Sequence, residues 1–300
     1  MRDRERLRIL ILTRTDWAEP PRLRHQLTQL LLDAGYRPTF VQKPACVLPV
    51  SRPCRPPAAA VPGLTLLSAQ ELLHHQLRLV PGLHHLNAWF ARRDLRHRLR
   101  SIGQHPPDLI INFNYDAFWL RSFCPGRPII TIINDDFESL SRLPVRRHLT
   151  WVLQRTCAMS TRVLTVSEML RQRLARWCEP ELFLPWAADA YRPPVPSGER
   201  RVLLFWGYVN ERLDVAALQA SLPELEAAGL RLRFVGPCDA NGRQLQRLLG
   251  DSSAVEWRPA CPFDALDTSD CLAALIPYRL DCPGVEAIQL SNKALQLLSL

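Results

Sequence analysis

LRILILTRTDWAEPPRLRHQLTQLLLDAGYRPTFVQ, residues 7–42, is the stretch that decides the fold. Its apolar run over residues 7–13 predicts a strand, and the leucine spacing within residues 21–34 predicts a helix that ends at Gly35. A second apolar run at 37–42 predicts the next strand. Strand, helix and strand in this order are typical of a parallel sheet with helical crossovers.

The same alternation continues along the chain. Further strands are predicted at 64–67, 109–113, 129–133, 163–166, 202–206, 230–235, 254–257 and 272–276. The proline-rich residues 43–63 predict a loop, while Ser68 and Glu71 have the spacing of a capping box and predict the start of a helix. The patterns therefore predict an α/β protein built on doubly wound parallel sheets.

A proline-rich segment divides the chain. YRPPVPSGERR, residues 191–201, has no apolar periodicity, and we place a linker at 193–200. The linker separates a first domain, 1–192, from a second domain, 201–300. Because the second domain repeats the strand–helix order of the first, we expect two Rossmann-like domains.

Composition and charge narrow the class of protein. The 300 residues are 47% hydrophobic and 22% charged, which excludes global disorder, and no apolar run reaches the ~20 residues of a membrane-spanning helix. Residues 1–200 hold 29 basic and 17 acidic side chains, whereas residues 201–300 hold 9 and 12. The first domain is therefore expected to meet an anionic partner. The nine cysteines form no CxxC pair and are expected to be reduced thiols in the cytoplasm.

Several strings resemble one enzyme family. DWAEPPRLRHQLTQLLLDAGYRPTFV, with Arg24 and Gln26 spaced as Arg-x-Gln, is similar to the opening of bacterial polysaccharide glycosyltransferases. RVLTVSEMLRQRL and LFLPWAADAYRPP resemble their passage into the interdomain linker, and FWGYVNERLDVAALQ resembles the start of their C-terminal domain. CLAALIPYRLDCPGVEAIQLSNKALQLLSL resembles the strand, loop and lysine-bearing helix that follow. The resemblance spans nearly the whole chain and indicates a GT-B glycosyltransferase of the group 1, family 4 type.

This resemblance implies a reaction. The enzyme would transfer a sugar from a UDP- or GDP-linked donor to a glycan or lipid-linked acceptor. It implies retention of the anomeric configuration, no metal and no separate cofactor, because cationic side chains and helix dipoles can stabilise the departing diphosphate.

Three departures from the family pattern favour an alternative. The string WAAD at 186–189 stands where the family has Asn-Gly-Val-Asp, and Gln296 stands where a glutamate would hold the donor ribose, with Ile288 at the position of its acidic partner. The chain stops at Leu300, so the second domain is expected to be incomplete. The alternative is a non-catalytic GT-B-like binding or partner subunit.

The second domain carries the predicted donor site. The resemblance assigns Arg212, in the turn that begins at Gly207, and Lys293, at the start of the last helix, to the donor diphosphate. Gln296 shares a helix face with Lys293 and is expected near the ribose, while Glu286 precedes that helix, where a sugar would be contacted. Ordinary surface side chains are the alternative interpretation for each.

The first domain carries the predicted acceptor side, because ligands of parallel sheets lie beyond the carboxyl ends of the strands. Asp135 follows the fifth strand and is a candidate for acid–base catalysis, with Asp16 after the first strand as the other candidate. Contact with the acceptor and helix capping are alternatives for the Asp135–Asp136 pair, and we predict no metal site. The acceptor-side candidates are Arg24, Asn112 and Asn114.

The segment LHHLNAWFARRDLRHRLR, residues 83–100, combines aromatic and basic residues in a helical pattern. Such a helix suits an anionic membrane surface, and a plain solvated helix is an equal alternative. Nucleic-acid binding is supported by charge alone, without a recognised reading module, so we expect no nucleic-acid partner. We expect a cytoplasmic protein that is peripheral on the inner face of the cell membrane. The predicted membrane contacts are Trp89, Phe90, Arg92, Arg93 and Arg96.

Overall fold

The chain divides into two compact units, Met1–Leu184 and Pro185–Leu300. The computed structural model describes residues 7–19, 22–50, 60–74, 77, 80–103, 106–139, 145–183, 198–238, 240–250, 252–261, 265–282, 285, 288, 294 and 297. Most of the linker placed at 193–200 lies outside these residues, and its bounds stay a prediction.

Unit 1 alternates strands and helices in its described part. Its strands are β1 (Ile9–Leu12), β2 (Thr39–Val41), β3 (Ala45–Leu48), β4 (Thr65–Leu67), β5 (Gln70–Leu73), β6 (Leu109–Asn112), β7 (Ile129–Ile133), β8 (Arg162–Thr165) and β9 (Pro180–Leu182). Its helices are α1 (Leu23–Asp33), α2 (Leu83–Ser101), α3 (Leu120–Phe123), α4 (Val145–Met159) and α5 (Glu168–Leu174).

Seven of these strands form one sheet in the order β4-β2-β1-β6-β7-β8-β9, and every neighbouring pair is parallel. Every residue of β1 is buried, as expected for a strand covered on both faces. The order reverses between β1 and β6, and open α/β sheets bind ligands at such a reversal. The doubly wound α/β prediction is confirmed.

The helix predicted in the deciding stretch is α1. Its end is fixed by Gly35, whose positive φ of 84° a residue with a side chain rarely adopts. The main-chain N–H of Gly35 donates to Leu32 at 2.9 Å, and that of Tyr36 donates to Leu31 at 2.9 Å. These bonds satisfy carbonyl groups at the helix end and turn the chain toward β2.

Two local predictions in unit 1 are wrong. The proline-rich segment contains β3, and residues Ser68–Glu71 lead into strand β5 rather than a helix, with β3 and β5 paired in a separate two-stranded sheet. Side chains of α2 hold β5 in place. The N–H of Gln70 donates to Asp94 at 2.7 Å, and the N–H of Leu73 donates to Asn87 at 2.8 Å. These contacts bridge 24 and 14 residues and outweigh the local capping signal.

Unit 2 has a smaller described sheet. Its elements are β10 (Val202–Trp206), α6 (Val215–Ala227), β11 (Arg231–Val235), α7 (Ala240–Leu249), β12 (Val255–Arg258) and β13 (Cys271–Ala274). The strands lie in the order β12-β11-β10-β13 and are all parallel, with the order reversing between β10 and β13. The last predicted helix lies almost wholly outside the described residues.

An arginine is buried within this second sheet. Arg233 in β11 is 2% exposed. Its Nη1 and Nη2 donate to the two carboxylate oxygens of Asp270 at 2.6 and 2.7 Å, and its Nε donates to Glu256 at 2.8 Å. The two carboxylates hold the pKa of Arg233 above its ordinary value, while its guanidinium lowers the pKa of Asp270. The cluster therefore ties β11 to β12 and to the turn before β13.

Replacing Arg233 tests the importance of this cluster. Arg233→Ala removes the buried guanidinium from Asp270 and Glu256 and leaves them only the more exposed Arg231 and Arg258. We expect it to lower the free energy of unfolding by about 3–5 kcal/mol. Arg247→Ala, at an exposed position on α7 outside the cluster, is the control and should cost under about 1 kcal/mol. Urea denaturation measures both, and equal losses would contradict this account.

No helix in the described part of the chain is long and apolar enough to cross a membrane.

Candidate active site

Arg24 stands at the strand-order reversal of unit 1. It lies on α1, and its Nη1 donates to the hydroxyl of Thr15, in the loop after β1, at 2.7 Å. Its guanidinium carbon lies 5.7 Å from the ring centre of Phe113, which directly follows β6. The side chain thus joins the ends of the two strands between which the sheet order reverses.

The positive charge of Arg24 is only partly compensated. Its Nε is buried and has no hydrogen-bond partner among the described residues. Burial lowers the pKa of Arg24 to about 10, and the charge of Arg22 adds to this, while Asp135 and Glu19 oppose it. An arginine in such surroundings favours the arrival of an anion or of oxygen lone pairs.

His25, the next residue of α1, fixes the loop after β1. Its Nδ1 accepts a hydrogen bond from the N–H of Arg22 at 3.0 Å, and its Nε2 lies 3.2 Å from the carbonyl oxygen of Asp16. This pair of contacts requires the neutral ring with its proton on Nε2. Burial lowers the pKa of His25 to about 4, and the charges of Arg24 and Arg22 add to the effect.

The two candidate catalytic acids differ in accessibility. Asp16 is 6% exposed and forms a tight turn, in which its carbonyl oxygen accepts the N–H of Glu19 at 3.1 Å. Asp135 is half-buried, and its Oδ2 accepts a hydrogen bond from Asn134 at 2.9 Å. The negative charge of Asp135 opposes the lowering of the Arg24 pKa, so the two predicted residues lie within electrostatic range of each other.

Asp136 is engaged in a structural ion pair. It is buried, pairs with Arg173 and accepts the N–H of Ser139 at 3.2 Å. Burial alone would raise the pKa of Asp136, but the bonds from Ser139 and Arg173 outweigh burial and lower it. The adjacent carboxylates of Asp135 and Asp136 therefore have different surroundings.

The two predicted asparagines also differ. Asn112 is fully buried, and its amide donates to the carbonyl of Asn114 at 2.9 Å and lies 3.2 Å from the Thr131 hydroxyl. Its Oδ1 accepts the N–H of Asn114 at 2.9 Å. Asn112 thus shapes the turn after β6, whereas the side chain of Asn114 lines a small cavity at the strand ends.

Sequence reasoning missed an ion cluster at the same edge. The Nη1 of Arg14 donates to Glu71 on β5 at 2.8 Å, and its Nη2 lies 3.1 Å from both oxygens of Asp116. The two carboxylates outweigh burial and hold the pKa of Arg14 above its ordinary value. The partners are 57 and 102 residues away in sequence, so the only available signal was the charged residue directly after a buried strand.

The cavities beside this cluster are small. They measure about 20 and 10 Å³, close to the volume that one water molecule needs. The Arg14 cluster therefore holds the loops after β1 and β6 together and leaves no room there for a sugar.

In unit 2, the loops after β10 and β11 approach each other closely. A Cβ atom on Gly236 would collide with the carbonyl of Gly207, so Gly236 has to lack a side chain. The N–H of Gly207 donates to Val235 at 2.9 Å, and that of Val209 donates to Pro237 at 3.0 Å. These bonds join the main chains of the two loops and hold Gly207 at the carboxyl edge of the sheet.

Arg212 lies at the strand-order reversal of unit 2. Its carbonyl accepts the N–H of Arg279 at 2.8 Å, and its own N–H donates to Asn210 at 3.2 Å. No described residue forms an ion pair with its half-buried guanidinium. Asp214, by contrast, caps α6 by accepting the N–H of Ala217 at 3.0 Å. A diphosphate here would meet the Arg212 side chain, because a carboxylate already occupies the helix terminus.

The other donor candidates, Glu286, Lys293 and Gln296, lie outside the described residues. Within the described ranges, no three histidine, cysteine, aspartate or glutamate side chains are grouped as metal ligands.

The predicted membrane segment is helix α2, and its exposed face differs from the predicted set. Trp89 is 48% exposed, and Arg93 is exposed with its guanidinium carbon 5.6 Å from the Trp89 ring. Phe90 is half-buried, Arg92 donates to the Ser122 hydroxyl at 3.0 Å, and Arg96 lies over Phe123. The exposed apolar residues that continue the Trp89 face are Leu83 and Leu86.

The sequence model of Glycosyltransferase Family 4 matches residues 22–181. The chain belongs to glycosyltransferase family 4. The matched range holds the candidates Arg24, Asn114 and Asp135, while Arg212 lies beyond it. No curated protein sequence matches the chain.

Solved structures support the GT-B fold of this family 4 member. A variant of Os79 from O. sativa in complex with UDP aligns with a TM-score of 0.51 at 15% identity, over 89% of this chain and 76% of its own. AviGT4, a glycosyltransferase involved in avilamycin A biosynthesis, aligns with a TM-score of 0.50 at 17% identity, over 94% and 75%. A glycosyltransferase from Rickettsia africae ESF-5 aligns with a TM-score of 0.50 at 10% identity, over 87% and 71%. The predicted family and GT-B fold are confirmed.

His25 makes the stability of this glycosyltransferase depend on pH. Because its pKa of about 4 lies below the ordinary 6.5, the unfolded chain binds more protons between pH 6.5 and 4. Its stabilising contribution is present above pH 6.5 and is lost as the pH falls toward 4. The difference in unfolding free energy between the wild type and His25→Gln should therefore fall by about 3 kcal/mol as the pH is lowered from 6.5 to 4. Urea denaturation at several pH values measures it, and a constant difference would refute the assignment.

Proposed function

We propose that this protein transfers a sugar from a UDP- or GDP-linked donor to a hydroxyl group of a glycan or lipid-linked acceptor. Its membership of glycosyltransferase family 4 carries this proposal, since the matched residues 22–181 contain Arg24, Asn114 and Asp135 of the strand-end site of unit 1. The UDP bound in the Os79 structure makes UDP the first nucleotide to test.

Unit 2 is proposed to hold the donor. When the bond between the anomeric carbon and the diphosphate breaks, negative charge grows on the leaving oxygens. Arg212 supports this role because its guanidinium stands at the strand-order reversal without an ion-pair partner among the described residues. A fixed cation of this kind stabilises the departing group, and by resemblance Lys293 supplies a second one.

Unit 1 is proposed to hold the acceptor. The attacking hydroxyl forms the new bond to the anomeric carbon and gives up its proton. Asp135 is the better candidate to receive or orient that proton, because Asp16 is buried in a tight turn. Arg24 supports acceptor binding as a partly compensated cation beside Asp135. Retention and independence of a metal are proposed from the family resemblance.

Donor binding tests the proposal directly. Calorimetric titration of the full chain with UDP and GDP should give binding of one of them, and Arg212→Ala should weaken it at least about tenfold, the value of a charged hydrogen bond. Arg201→Ala is the matched control, because Arg201 is exposed at the opposite end of β10 and pairs with Glu199 at 2.7 Å. It should bind the nucleotide as the wild type does.

Measuring turnover of the nucleotide sugar distinguishes an enzyme from a non-catalytic partner subunit. Release of UDP or GDP from the nucleotide sugar supports the enzyme. Nucleotide binding without turnover, with any acceptor offered, would favour the partner-subunit alternative. Binding of neither nucleotide by the wild type would overturn the proposal, and tight, salt-sensitive DNA binding would favour a nucleic-acid-binding protein.

We also propose that the exposed face of α2 contacts the anionic inner face of the cell membrane, with the protein in the cytoplasm. Leu83, Leu86 and Trp89 form the apolar part of this face, and Arg93 and Arg100 follow toward the end of the helix. Apolar side chains can enter the headgroup region while arginines attract anionic lipids, which supports this partner.

Vesicle sedimentation tests the membrane contact. Vesicles of phosphatidylcholine with phosphatidylglycerol should bind the wild type, and Leu86→Ser combined with Trp89→Ser should reduce binding at least about tenfold, since each buried apolar side chain is worth about 1.5–3 kcal/mol. Leu248→Ser is the control, because Leu248 is an equally exposed leucine on α7. Equal binding by all three proteins would refute the contact.

A further inference from the structure

An open cavity of about 370 Å³ lies in unit 1 beside the N-terminal half of α4. Its opening adjoins the loop after β7, the loop that also carries Asp135. The cavity is lined by Glu138, Arg146, Arg147, Thr150 and Arg176.

The lining has an excess of positive charge. Glu138 is its single acidic residue and is buried, with Oε2 accepting from Arg176 at 2.6 Å and Oε1 accepting from Thr150 at 2.6 Å. Arg146 and Arg147 are exposed, and neither forms an ion pair with a described residue. Among the described residues, two of the three guanidinium groups at the cavity therefore have no acidic partner.

The position of Arg146 and Arg147 is unfavourable for stability alone. Both lie in the first turn of a 15-residue helix, where the partial positive charge of the helix terminus repels cations. The first turn contains no acidic residue to offset them. Side chains that break a local rule in this way point to a ligand that the same field attracts.

We propose that this cavity binds a phosphate group, which on the proposed function belongs to the acceptor. Guanidinium groups bind phosphate through paired hydrogen bonds, and the helix terminus adds attraction for an anion. Glu138 positions Arg176 for the same task. The phosphate comes either from a lipid headgroup or from a soluble phosphorylated sugar.

The cavity and the proposed catalytic acid share the loop after β7. Glu138 follows Asp135 by three residues, a stretch of chain that spans at most about 10 Å. On this proposal the phosphate and the attacking hydroxyl of one acceptor lie at the two ends of this short segment.

Calorimetric titration of the full chain with inorganic phosphate tests the site. Arg146→Ala combined with Arg147→Ala should weaken phosphate binding at least about tenfold. Arg155→Ala combined with Arg171→Ala removes the same charge from exposed positions outside the cavity and should change binding less than about twofold. Arg147→Lys, which keeps the charge and loses the paired donors, should give an intermediate affinity and serves if the double variant does not fold.

Two further experiments distinguish a soluble from a lipid phosphate and the phosphate site from the proposed donor site. If glucose 1-phosphate displaces inorganic phosphate, the ligand is a soluble phosphorylated sugar. If phosphatidic acid vesicles displace it, the ligand is a lipid phosphate. Either result supports the site, provided that the competition is lost in the Arg146→Ala/Arg147→Ala variant. Arg212→Ala should keep phosphate binding while losing UDP binding. The phosphate result can therefore be interpreted even if the donor site is assigned wrongly. Absence of phosphate binding, or equal binding by the double variant and its control, would overturn the proposal.

Discussion

All seven strands of the main sheet in unit 1 run in one direction, and the candidate site depends on that constraint. Parallel strands send every carboxyl end to the same edge, so turns that are distant in sequence meet there. Arg24 in this way donates to Thr15 after β1 and lies over the ring of Phe113 after β6. The charge of Asp135 after β7 also acts on its pKa. Each of these residues alone is ordinary, and the shared edge is what makes them a candidate site.

The sequence predicted the fold because its signals are periodic and repeated. Helix α1 and strand β7 were predicted within two residues of their observed bounds, since amphipathic and buried runs reflect the sheet directly. The family model confirmed the resemblance seen in the same segments. Strand β5 was missed because its decisive partners, Asp94 and Asn87, act from a helix that follows it in sequence.

The candidate site was predictable in position but not in detail. Strand ends pointed to Asn112, Asn114 and Asp135, and the family resemblance pointed to Arg24. The structure places all four at the carboxyl edge of the sheet. Only contacts across the fold show that Asn112 is occupied within its own turn. The Arg14 cluster and the cavity beside α4 join residues from several elements, so no local spacing reveals them. Charge counts show the basic excess of the first domain, but they do not show which arginines form ion pairs with acidic residues.

The buried Arg233 cluster has a consequence for how unit 2 chooses its strand pairing. Successive side chains of a strand point to opposite faces, so a slip of β11 by one residue would carry Arg233 to the other face of the sheet. In the described part of unit 2, that face is packed with buried apolar residues such as Phe205 and Leu218. A misaligned sheet would thus bury a lone cation and separate it from Asp270 and Glu256. The ion cluster therefore favours the native register of β11 over a register shifted by one residue.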